Sequence, residues 1–403
     1  MGWGARVTID QQIEHLRRAT TEIISEADLR RKLGLGRPLR VKLGVDPTAK
    51  DVTLGWAVVL RKLRDFQQLG HTACLIIGDF TAMIGDPSGK SKTRKQLTRE
   101  EVQANVDGVM TQVRKILDPD KTEIYFNKDW LGKMGFEDVI RLASRTTVAR
   151  IMERDDFTKR WNENRPIALH EILYPLCQGM DSVEIRADIE LGGNDQKFNN
   201  LVGRNLQEQY DQEPQVVILS PLLVGTDGKE KMSQSLGNYV GIWDAPNDMY
   251  GKTMSIPDEL MTNWFELCTD VPMDEVRRIV AEDHPRDAKR RLAREIVTMY
   301  HSAADAQAAD DYFINTFSQR QQPVEAEEAA IPPEAIAEGT VGLAALVVAL
   351  GLAESNGAAK KLIQAGAVSL DGERAADIAH RYAPADLVGK VLKVGKHQFR
   401  RLA

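Results

Sequence analysis

This sequence contains few cysteines and no long apolar segment. Cys74, Cys177 and Cys268 are far apart, and neither a Cys-x-x-Cys pair nor paired histidines accompany them. Neither a disulfide framework nor a zinc site is therefore predicted. No stretch approaches the roughly 20 apolar residues of a membrane helix. The first residues, which include Asp10 and Glu14, lack the basic start and apolar run of a signal peptide. We expect a cytoplasmic protein without membrane contact.

A large excess of one charge is also lacking. The 53 Lys and Arg residues and 59 Asp and Glu residues give a formal net charge of -6. This balance argues against a protein that coats nucleic acid nonspecifically, although a local basic surface can still bind RNA. The length of 403 residues predicts two to three domains, and 42% hydrophobic with 28% charged residues is typical of a globular protein.

Residues 39–77 have the pattern of a strand, a helix and a second strand. Apolar residues at 39, 41, 43 and 45 alternate with Arg40, Lys42 and Gly44, which is typical of a strand. Apolar residues then recur at helical spacing up to Gly70, and charged residues occupy the other face; the apolar ones are Val58, Val59, Leu60, Leu63 and Phe66, and the charged ones Arg61, Lys62, Arg64 and Asp65. Residues 74–77 (CLII) read as a buried parallel strand. In such a unit the ligand crevice lies at the carboxyl ends of the strands, where the turn after residue 45 and the loop 78–89 are located.

The rest of the chain shows further regions. Helical patterns dominate 118–186, and residues 216–219 (VVIL) predict another buried strand. Residues 257–317 are again helical, with an apolar stripe at 288, 292, 296 and 300. Residues 322–338 are rich in Ala, Glu and Pro and predict a linker. We predict a catalytic domain over 1–238 with a helical insertion at about 118–186, a helical domain over 239–321, the linker 322–338 and a small domain over 339–403.

Two loops are candidates for phosphate chemistry, residues 44–49 (GVDPTA) and 228–235 (GKEKMSQS). A third, 85–91 (GDPSGKS), is a near miss to a P-loop, because that motif requires glycine where Ile84 stands. Taken alone, this third loop is an ordinary solvated turn.

A polar face flanked by apolar residues lies in 174–181 (YPLCQGMD). Tyr174, Gln178 and Asp181 stand at i, i+4 and i+7, so a helix places them on one face. Such a stripe is more often solvated surface, but the apolar residues around it favour a lined pocket. Residues 192–196 (GGNDQ) follow, and glycines permit close backbone approach to a ligand because they lack Cβ.

These segments, in this order, resemble those of the class I aminoacyl-tRNA synthetases, and within that class the tyrosyl enzymes. The resemblance covers nearly the whole chain. It implies a doubly wound, parallel-sheet (Rossmann-like) α/β catalytic domain, followed by a helical domain and a small α+β RNA-binding domain. It also implies ATP with Mg²⁺, tyrosine and tRNA(Tyr) as ligands, and a homodimer formed through the insertion.

The resemblance assigns a role to each residue of the tyrosine pocket. Asp86, Tyr174 and Gln178 would hold the α-ammonium group, Asp181 would accept the phenolic hydrogen bond, and Gln196 would face the amino acid. Phenylalanine would leave the Asp181 carboxylate unpaired, so discrimination can reach about 10⁵-fold, a magnitude taken from tyrosyl-tRNA synthetases themselves.

The resemblance also assigns the nucleotide residues: ATP-binding Asp46, Thr48, Gly55, Trp56, Lys90, Arg94, Gly193, Asp195, Lys231, Ser233 and Gln234, and catalytic Thr48, Thr53, Lys231 and Gln234. Lys231 would place an ammonium on pyrophosphate as charge builds in the transition state.

The sequence departs from the family pattern at three of these positions. Thr53 and Trp56 replace the two histidines of His-x-Gly-His, and Gln234 replaces the second lysine of Lys-Met-Ser-Lys-Ser. Losing one transition-state donor costs roughly 10²- to 10³-fold in rate. A catalytically impaired paralogue acting as an RNA-binding protein is therefore the competing hypothesis, while the retained pocket and Lys231 favour an active enzyme. A tryptophanyl enzyme is disfavoured by the polar face of 174–181.

The C-terminal residues carry a separate signal. Residues 355–372 resemble the small RNA-binding domain shared with a small-subunit ribosomal protein, and residues 341–403 hold nine basic and five acidic residues, a net +4. Phosphate contacts need such local positive charge. Predicted tRNA contacts are Lys360, Lys361, Arg374 and Lys396. Basic residues over 286–294 could extend this surface, although a solvated helix face is the simpler interpretation there.

Overall fold

The structure is a computed structural model that describes residues 7–48, 50–86, 98–318, 327–337, 339–375, 377–378, 380–395 and 398–403. The chain divides into two compact units, Met1–Ala306 and Gln307–Ala403. In the part that the structure describes, no helix is both long and apolar enough to cross a membrane.

A six-stranded sheet forms the centre of the first unit. Its strands are β1 (Glu22–Ile24), β2 (Arg40–Val45), β3 (Thr72–Ile77), β4 (Thr122–Phe126), β5 (Ile189–Gly193) and β6 (Val216–Ser220). Their order is β1-β6-β5-β2-β3-β4, with β1 antiparallel to β6 and the other neighbours parallel. From β2 the parallel strands follow in chain order through β3 and β4 on one side and through β5 and β6 on the other, with β1 added at the edge, so the predicted doubly wound fold is confirmed. The order reverses between β2 and β5, which is where such sheets bind ligands.

Helices cover this sheet and continue beyond it. They are α1 (Ile9–Arg17), α2 (Glu26–Leu33), α3 (Leu54–Gln68), α4 (Thr81–Ile84), α5 (Arg99–Val113), α6 (Lys128–Leu131), α7 (Phe136–Ala143), α8 (Val148–Ile151), α9 (Asp155–Asn162), α10 (Leu169–Glu184), α11 (Lys197–Gln209), α12 (Pro246–Met254), α13 (Met261–Cys268), α14 (Met273–Glu282), α15 (Pro285–Tyr300) and α16 (Ala303–Phe313). The predicted apolar stripe of α15 is buried. Gly70 has φ +90°, a left-handed conformation suited to the predicted stop after α3.

Several charged residues are not where the sequence pattern placed them. Arg61 and Lys62, predicted on the outer face of α3, are buried. Their polar groups have partners there, since Arg61 Nη2 donates to Asp270 Oδ1 at 2.7 Å and Lys62 Nζ donates to the Leu16 carbonyl at 2.9 Å. Lys42, predicted on the polar side of β2, is fully buried. A central parallel strand has both faces covered, so alternation there does not mark a solvated side.

The second unit has its own sheets and core. Its elements are β7 (Glu327–Ala329), β8 (Ile336–Ala337), β9 (Thr340–Gly342), α17 (Leu343–Ala349), α18 (Asn356–Gln364), β10 (Val368–Leu370), β11 (Glu373–Arg374), β12 (Arg381–Tyr382), α19 (Pro384–Leu387), β13 (Val391–Val394) and β14 (Gln398–Leu402). One sheet has the order β11-β10-β13-β14-β7 and the other β12-β9-β8. Leu346, Ile363 and Leu392 lie in the core. This is the predicted α+β unit.

Strands also occur in two segments that the sequence predicts to be helical or a linker. β4 is an edge strand of the central sheet, although it falls within the region where helical patterns dominate. β7 and β8 fall within the predicted linker, and they pair with β14 and β9. Strands as short as β7 and β8 are held by main-chain hydrogen bonds, so their composition gives little sign of them.

Candidate active site

A cavity of about 620 Å³ lies at the carboxyl ends of β2 and β5. Its lining contains most of the predicted site residues: Asp46, Thr48, Thr53, Gly55, Trp56, Asp86, Tyr174, Gln178, Asp181, Gly193, Asp195, Gln196, Lys231, Ser233 and Gln234. Lys90 and Arg94 lie outside the described residues. Segments that are up to about two hundred residues apart in sequence therefore share one cavity, as the topology of the sheet predicts.

Asp46 joins the end of β2 to α10. Its Oδ2 accepts from the Tyr174 hydroxyl at 2.8 Å and its Oδ1 from Thr81 Oγ1 at 2.7 Å. Burial, followed by the charge of Asp46, raises the pKa of Tyr174 well above its ordinary value, so the phenol keeps its proton. A Cβ at Gly78 would lie 2.0 Å from Asp46 Oδ1, so only glycine fits there. Asp46, predicted to serve ATP, is in contact with the predicted tyrosine pocket.

Asp181 is buried and surrounded by donors. Trp130 Nε1 donates to its Oδ1 at 3.0 Å, and Asn127 Nδ2 lies 3.5 Å from its Oδ2. Burial, the largest effect, raises the pKa of Asp181 to about 7, while the Lys42 charge and these two donors oppose that rise. Asn127 also donates to Thr81 Oγ1 at 3.0 Å. The carboxylate is therefore held in one position beside the cavity.

The sequence analysis missed Asn127 and Trp130. Both follow β4 directly, at the same edge of the sheet as the other site residues. Residues 122–126 (TEIYF) carry a strand signal, since aromatic and β-branched residues favour strands. That signal, given weight, would have placed Asn127 and Trp130 at the ligand crevice.

Asp86 and Gln196, both predicted to bind tyrosine, are in contact. Gln196 Nε2 donates to Asp86 Oδ2 at 2.9 Å, and Asn199 Nδ2 donates to Gln196 Oε1 at 3.0 Å. A Cβ at Gly193 would lie 2.9 Å from Asp195 Oδ1 and within 3.0 Å of a neighbouring leucine. Neighbouring side chains of the protein therefore leave no room for a Cβ at Gly193, while the close approach of this backbone to a ligand stays a prediction.

Lys231 and Asp195, both predicted to serve the nucleotide, form an ion pair of 2.8 Å between Nζ and Oδ2. The loop 228–235 is further fixed by Asn238, whose Oδ1 accepts from the Ser233 main-chain N–H at 2.9 Å. This loop therefore lies beside the end of β5 and lines the same cavity.

The three departures from the family pattern occupy specific places. Thr53 is the N-cap of α3, where its Oγ1 accepts from the Trp56 main-chain N–H at 3.3 Å. The hydroxyl can still donate its own hydrogen. Trp56 lines the cavity from the first turn of the helix. The Gln234 side-chain amide donates to the Asp51 carbonyl. Gln234 therefore contacts the main chain of the turn that leads into α3.

The opposite side of that turn is held by α5. Asn105 Nδ2 donates to the Pro47 carbonyl at 2.9 Å, and Gln112 Nε2 donates to the Lys50 carbonyl at 3.0 Å. The Gln112 side-chain oxygen accepts from the main-chain N–H of the residue two positions after Lys50, at 2.8 Å. A Cβ at Gly108 would lie 2.9 Å from the Lys50 oxygen, so the helix packs closely on the turn. No motif in the sequence pointed to these residues.

The predicted tRNA contacts lie in the second unit. Lys360 and Lys361 are exposed on α18, whose N-cap Ser355 accepts from the Ala358 main-chain N–H at 3.2 Å. Arg374 is exposed on β11, and Lys396 lies outside the described residues.

Two protein families match the chain. The family described as tRNA synthetases class I (W and Y) matches residues 35–318. The family described as the tyrosine–tRNA ligase SYY-like C-terminal domain matches residues 324–401.

Curated relatives match along the full length. A tyrosine–tRNA ligase of Moorella thermoacetica is 52% identical over 403 residues, which covers 98% of this chain and 96% of the relative. One of Mannheimia succiniciproducens is 51% identical over 398 residues, with 98% of each chain covered. A crystal structure of a C-terminally truncated mitochondrial tyrosyl-tRNA synthetase of Aspergillus nidulans covers 78% of this chain and 95% of its own, with a TM-score of 0.64 at 19% identity, and this likeness concerns the fold. The chain belongs to the class I tRNA synthetase family that comprises the tryptophanyl and tyrosyl enzymes.

Proposed function

We propose that the chain is a tyrosine–tRNA ligase, which activates tyrosine with ATP to tyrosyl adenylate and transfers the tyrosyl group to the 3′ end of tRNA(Tyr). The observation that carries this proposal is the single cavity at the sheet's switch point. It joins the polar face of α10 to the Asp86–Gln196 contact and to the Asp195–Lys231 ion pair. Relatives that match the full length bear the name of the same activity.

Tyrosine would lie along α10 with its two polar ends at separate sites. Asp86, Tyr174 and Gln178 would hold the ammonium group, and Asp181 would accept the phenolic hydrogen bond. Asp181 is suited to this role because its position is fixed by Trp130 and it is otherwise buried. A phenylalanine ring would leave this acceptor unpaired, which is the costly case for a buried polar group.

ATP would lie between β2 and β5, with its ribose at Asp195 and its phosphates at the start of α3 and at Lys231. The first turn of a helix offers free main-chain N–H groups and a positive dipole end to an anion. Mg²⁺ would accompany the phosphates and neutralise part of their charge. The tyrosine carboxylate would attack the α-phosphate in line, and Lys231 would stabilise the departing pyrophosphate.

The tRNA would contact the second unit. Support comes from the match of residues 324–401 to the C-terminal domain of tyrosine–tRNA ligases and from the exposure of Lys360, Lys361 and Arg374. Such cations bind phosphates without reading sequence. The predicted domain boundaries and the cytoplasmic location are part of this proposal, and the free thiols of all three cysteines fit a reducing compartment.

A homodimer is also proposed, through the helices between residues 136 and 169. Large apolar side chains are exposed there, among them Phe136 at 82% and Leu169 at 80%, with Ile140, Val148 and Trp161 also exposed. Exposed apolar residues grouped on one region are typical of protein interfaces.

The test of the proposal is amino-acid-dependent exchange of pyrophosphate into ATP, with tyrosine, phenylalanine and tryptophan as substrates. Exchange with tyrosine alone supports the ligase. Intact binding of tyrosine and tRNA without exchange would instead favour the impaired, RNA-binding paralogue suggested by Thr53, Trp56 and Gln234.

Two variants test whether the exchange depends on the residues of the cavity. Lys231→Met removes the ammonium that faces Asp195 and is expected to lower kcat by roughly 10²- to 10³-fold, as the loss of a transition-state donor does. Lys229→Met, two residues away and exposed, is the matched control and should retain the wild-type rate. Equal rates in Lys231→Met and wild type would contradict the assigned role.

A further inference from the structure

Behind the wall of the cavity lies a fully buried ion pair, Lys42 with Glu190. The sheet register places Lys42 of β2 directly opposite Glu190 of β5, the two strands between which the strand order reverses. Lys42 Nζ lies 2.8 Å from Glu190 Oε1, and the two side chains are 0% and 1% exposed. Neither residue lines the cavity itself.

Stability alone does not account for such a pair. Removing two charges from water is costly, and a buried ion pair is often no more stable than apolar residues of similar volume. Apolar side chains between two central strands would fill the same space. The hydrogen bonds that Lys42 and Glu190 make to other residues therefore indicate what the pair does.

The Lys42 ammonium contacts α10 at the turn that carries the predicted tyrosine residues. Besides Glu190, it donates to the Gln178 carbonyl at 3.0 Å and to Ser182 Oγ at 2.8 Å. All three of its hydrogens thus have acceptors. Gln178 and Ser182 lie on either side of Asp181 along the helix, and from this position the Lys42 charge lowers the pKa of the Asp181 carboxyl.

Glu190 in turn orients Gln178. Its Oε1 accepts from Gln178 Nε2 at 3.3 Å, and the same amide lies 3.0 Å from the side-chain amide of Asn200. Its Oε2 accepts from Ser182 Oγ at 3.2 Å and from Gln215 Nε2. The end of the Gln178 side chain is therefore fixed from behind the cavity wall.

We propose that Lys42 and Glu190 act as a positioning pair for tyrosine recognition, in which Glu190 fixes Gln178 and Lys42 supplies the positive charge that the buried Asp181 carboxylate needs. The inference rests on the proposed tyrosine site. Gln178 and Asp181 touch the amino acid in that proposal, whereas the pair acts only through them.

The titration of Asp181 also depends on the titratable groups near it. Tyr174 and Cys177 lie on the same helix, and burial raises the pKa of the first well above its ordinary value and that of the second to about 12, so both are neutral near pH 7. Lys42 lowers the pKa of Asp181 and Glu190 raises it, with Lys42 the stronger of the two. Removing either partner should thus move the titration of Asp181 in a known direction.

Two variants separate the contributions. Lys42→Met/Glu190→Gln removes both charges, and Glu190→Gln removes only the negative one. The matched control is Arg160→Met/Glu171→Gln, a buried ion pair of 2.5 Å with both side chains 2% exposed, which does not line the cavity. Folding is checked by circular dichroism and melting. Tyrosine- and phenylalanine-dependent pyrophosphate exchange and tyrosine affinity by calorimetry are then measured from pH 5.5 to 9.

The two variants are expected to shift the pH profile of tyrosine-dependent exchange in opposite directions. In the double variant, kcat/KM for tyrosine should start to fall at a pH about one unit higher than in wild type, and the KM for tyrosine should rise roughly tenfold at pH 7. In Glu190→Gln the fall should begin at a lower pH than in wild type. The KM for ATP should stay within about twofold in both, and the control should match wild type.

An unchanged tyrosine pH profile in folded Lys42→Met/Glu190→Gln would overturn the inference, as would equal changes in the KM values for tyrosine and ATP, which a merely structural role would produce. If the double variant does not fold, the direction of the shift in Glu190→Gln decides. If wild type binds tyrosine without exchange, the proposed activity fails while the calorimetric pH profiles still test the pair. If wild type does not bind tyrosine, both fail.

Discussion

Replacing Asp181 by asparagine keeps the size of the side chain and removes its negative charge. In the structure, Asp181 Oδ1 already accepts from Trp130 at 3.0 Å, and an asparagine oxygen can keep that bond. The other carboxylate oxygen would become an NH₂ group, which cannot accept a phenolic hydrogen. A hydrogen bond to a charged group contributes about 1.5 to 3 kcal/mol. We therefore expect kcat/KM for tyrosine to fall by roughly 10- to 150-fold.

Phenylalanine should respond in the opposite direction. In wild type its ring would supply no hydrogen to the carboxylate oxygen that the tyrosine hydroxyl would bind, and the neutral asparagine lessens that penalty. The ratio of kcat/KM for tyrosine over phenylalanine should thus fall by more than the loss for tyrosine alone. Asp129→Asn, an exposed carboxylate on α6, is the matched control and should leave the ratio unchanged.

The pH profile gives a second readout. Burial raises the pKa of Asp181 to about 7, so its carboxylate is present above that pH and is lost as the pH falls through it. In wild type, kcat/KM for tyrosine should fall about tenfold per unit below pH 7, and Asp181→Asn should lack this dependence. Pyrophosphate exchange from pH 5.5 to 8.5 measures both quantities. An unchanged tyrosine-to-phenylalanine ratio, or a wild-type acid limb that persists in the variant, would refute the role of Asp181.

Two further predictions concern neighbouring residues. Trp130→Phe keeps the ring and removes the indole donor to the carboxylate, so tyrosine should lose roughly 10-fold in kcat/KM and its acid limb should move to higher pH. Trp243→Phe, exposed and outside the cavity lining, is the control, and identical pH profiles for Trp130→Phe and wild type would contradict the assignment. Gln234→Lys gives up the amide bond to the Asp51 carbonyl and adds an ammonium beside the proposed phosphate site, so single-turnover adenylation should accelerate, by up to about 10²-fold. A slower rate would mean that the bond to the turn matters more than the added charge.

The sequence predicts the residues of this site better than it predicts what holds them. The i, i+4, i+7 spacing on α10 and the carboxyl ends of β2 and β5 are local or topological properties, and the structure brings the residues they select into one cavity. Asn127 and Trp130 were missed because the strand signal of β4, which they follow, lies in a region where helical patterns dominate. Their proximity to Asp181 depends on how a sheet edge packs on a helix 50 residues later in the chain.

Charged residues were the main source of error in the fold. Lys42, Arg61 and Lys62 follow the periodicity of a solvated face, yet all three are buried. Their partners come from distant parts of the chain, such as Glu190 for Lys42 and Asp270 for Arg61. Periodicity records which side of an element differs from the other, and it contains no information on whether a later segment will cover that side.

The hydrogen bonds from α5 to the turn after β2 are made to main-chain atoms of the turn. Asn105 and Gln112 bind the carbonyls of Pro47 and Lys50, and from the other side Gln234 binds the carbonyl of Asp51. Every residue offers a carbonyl of the same kind, so these contacts are insensitive to the side chains of the turn. The path of the backbone into α3 can therefore survive mutational drift at those positions. A chain built in this way can exchange the residues around α3, the helix proposed to bind phosphate, while keeping that helix in register with the cavity.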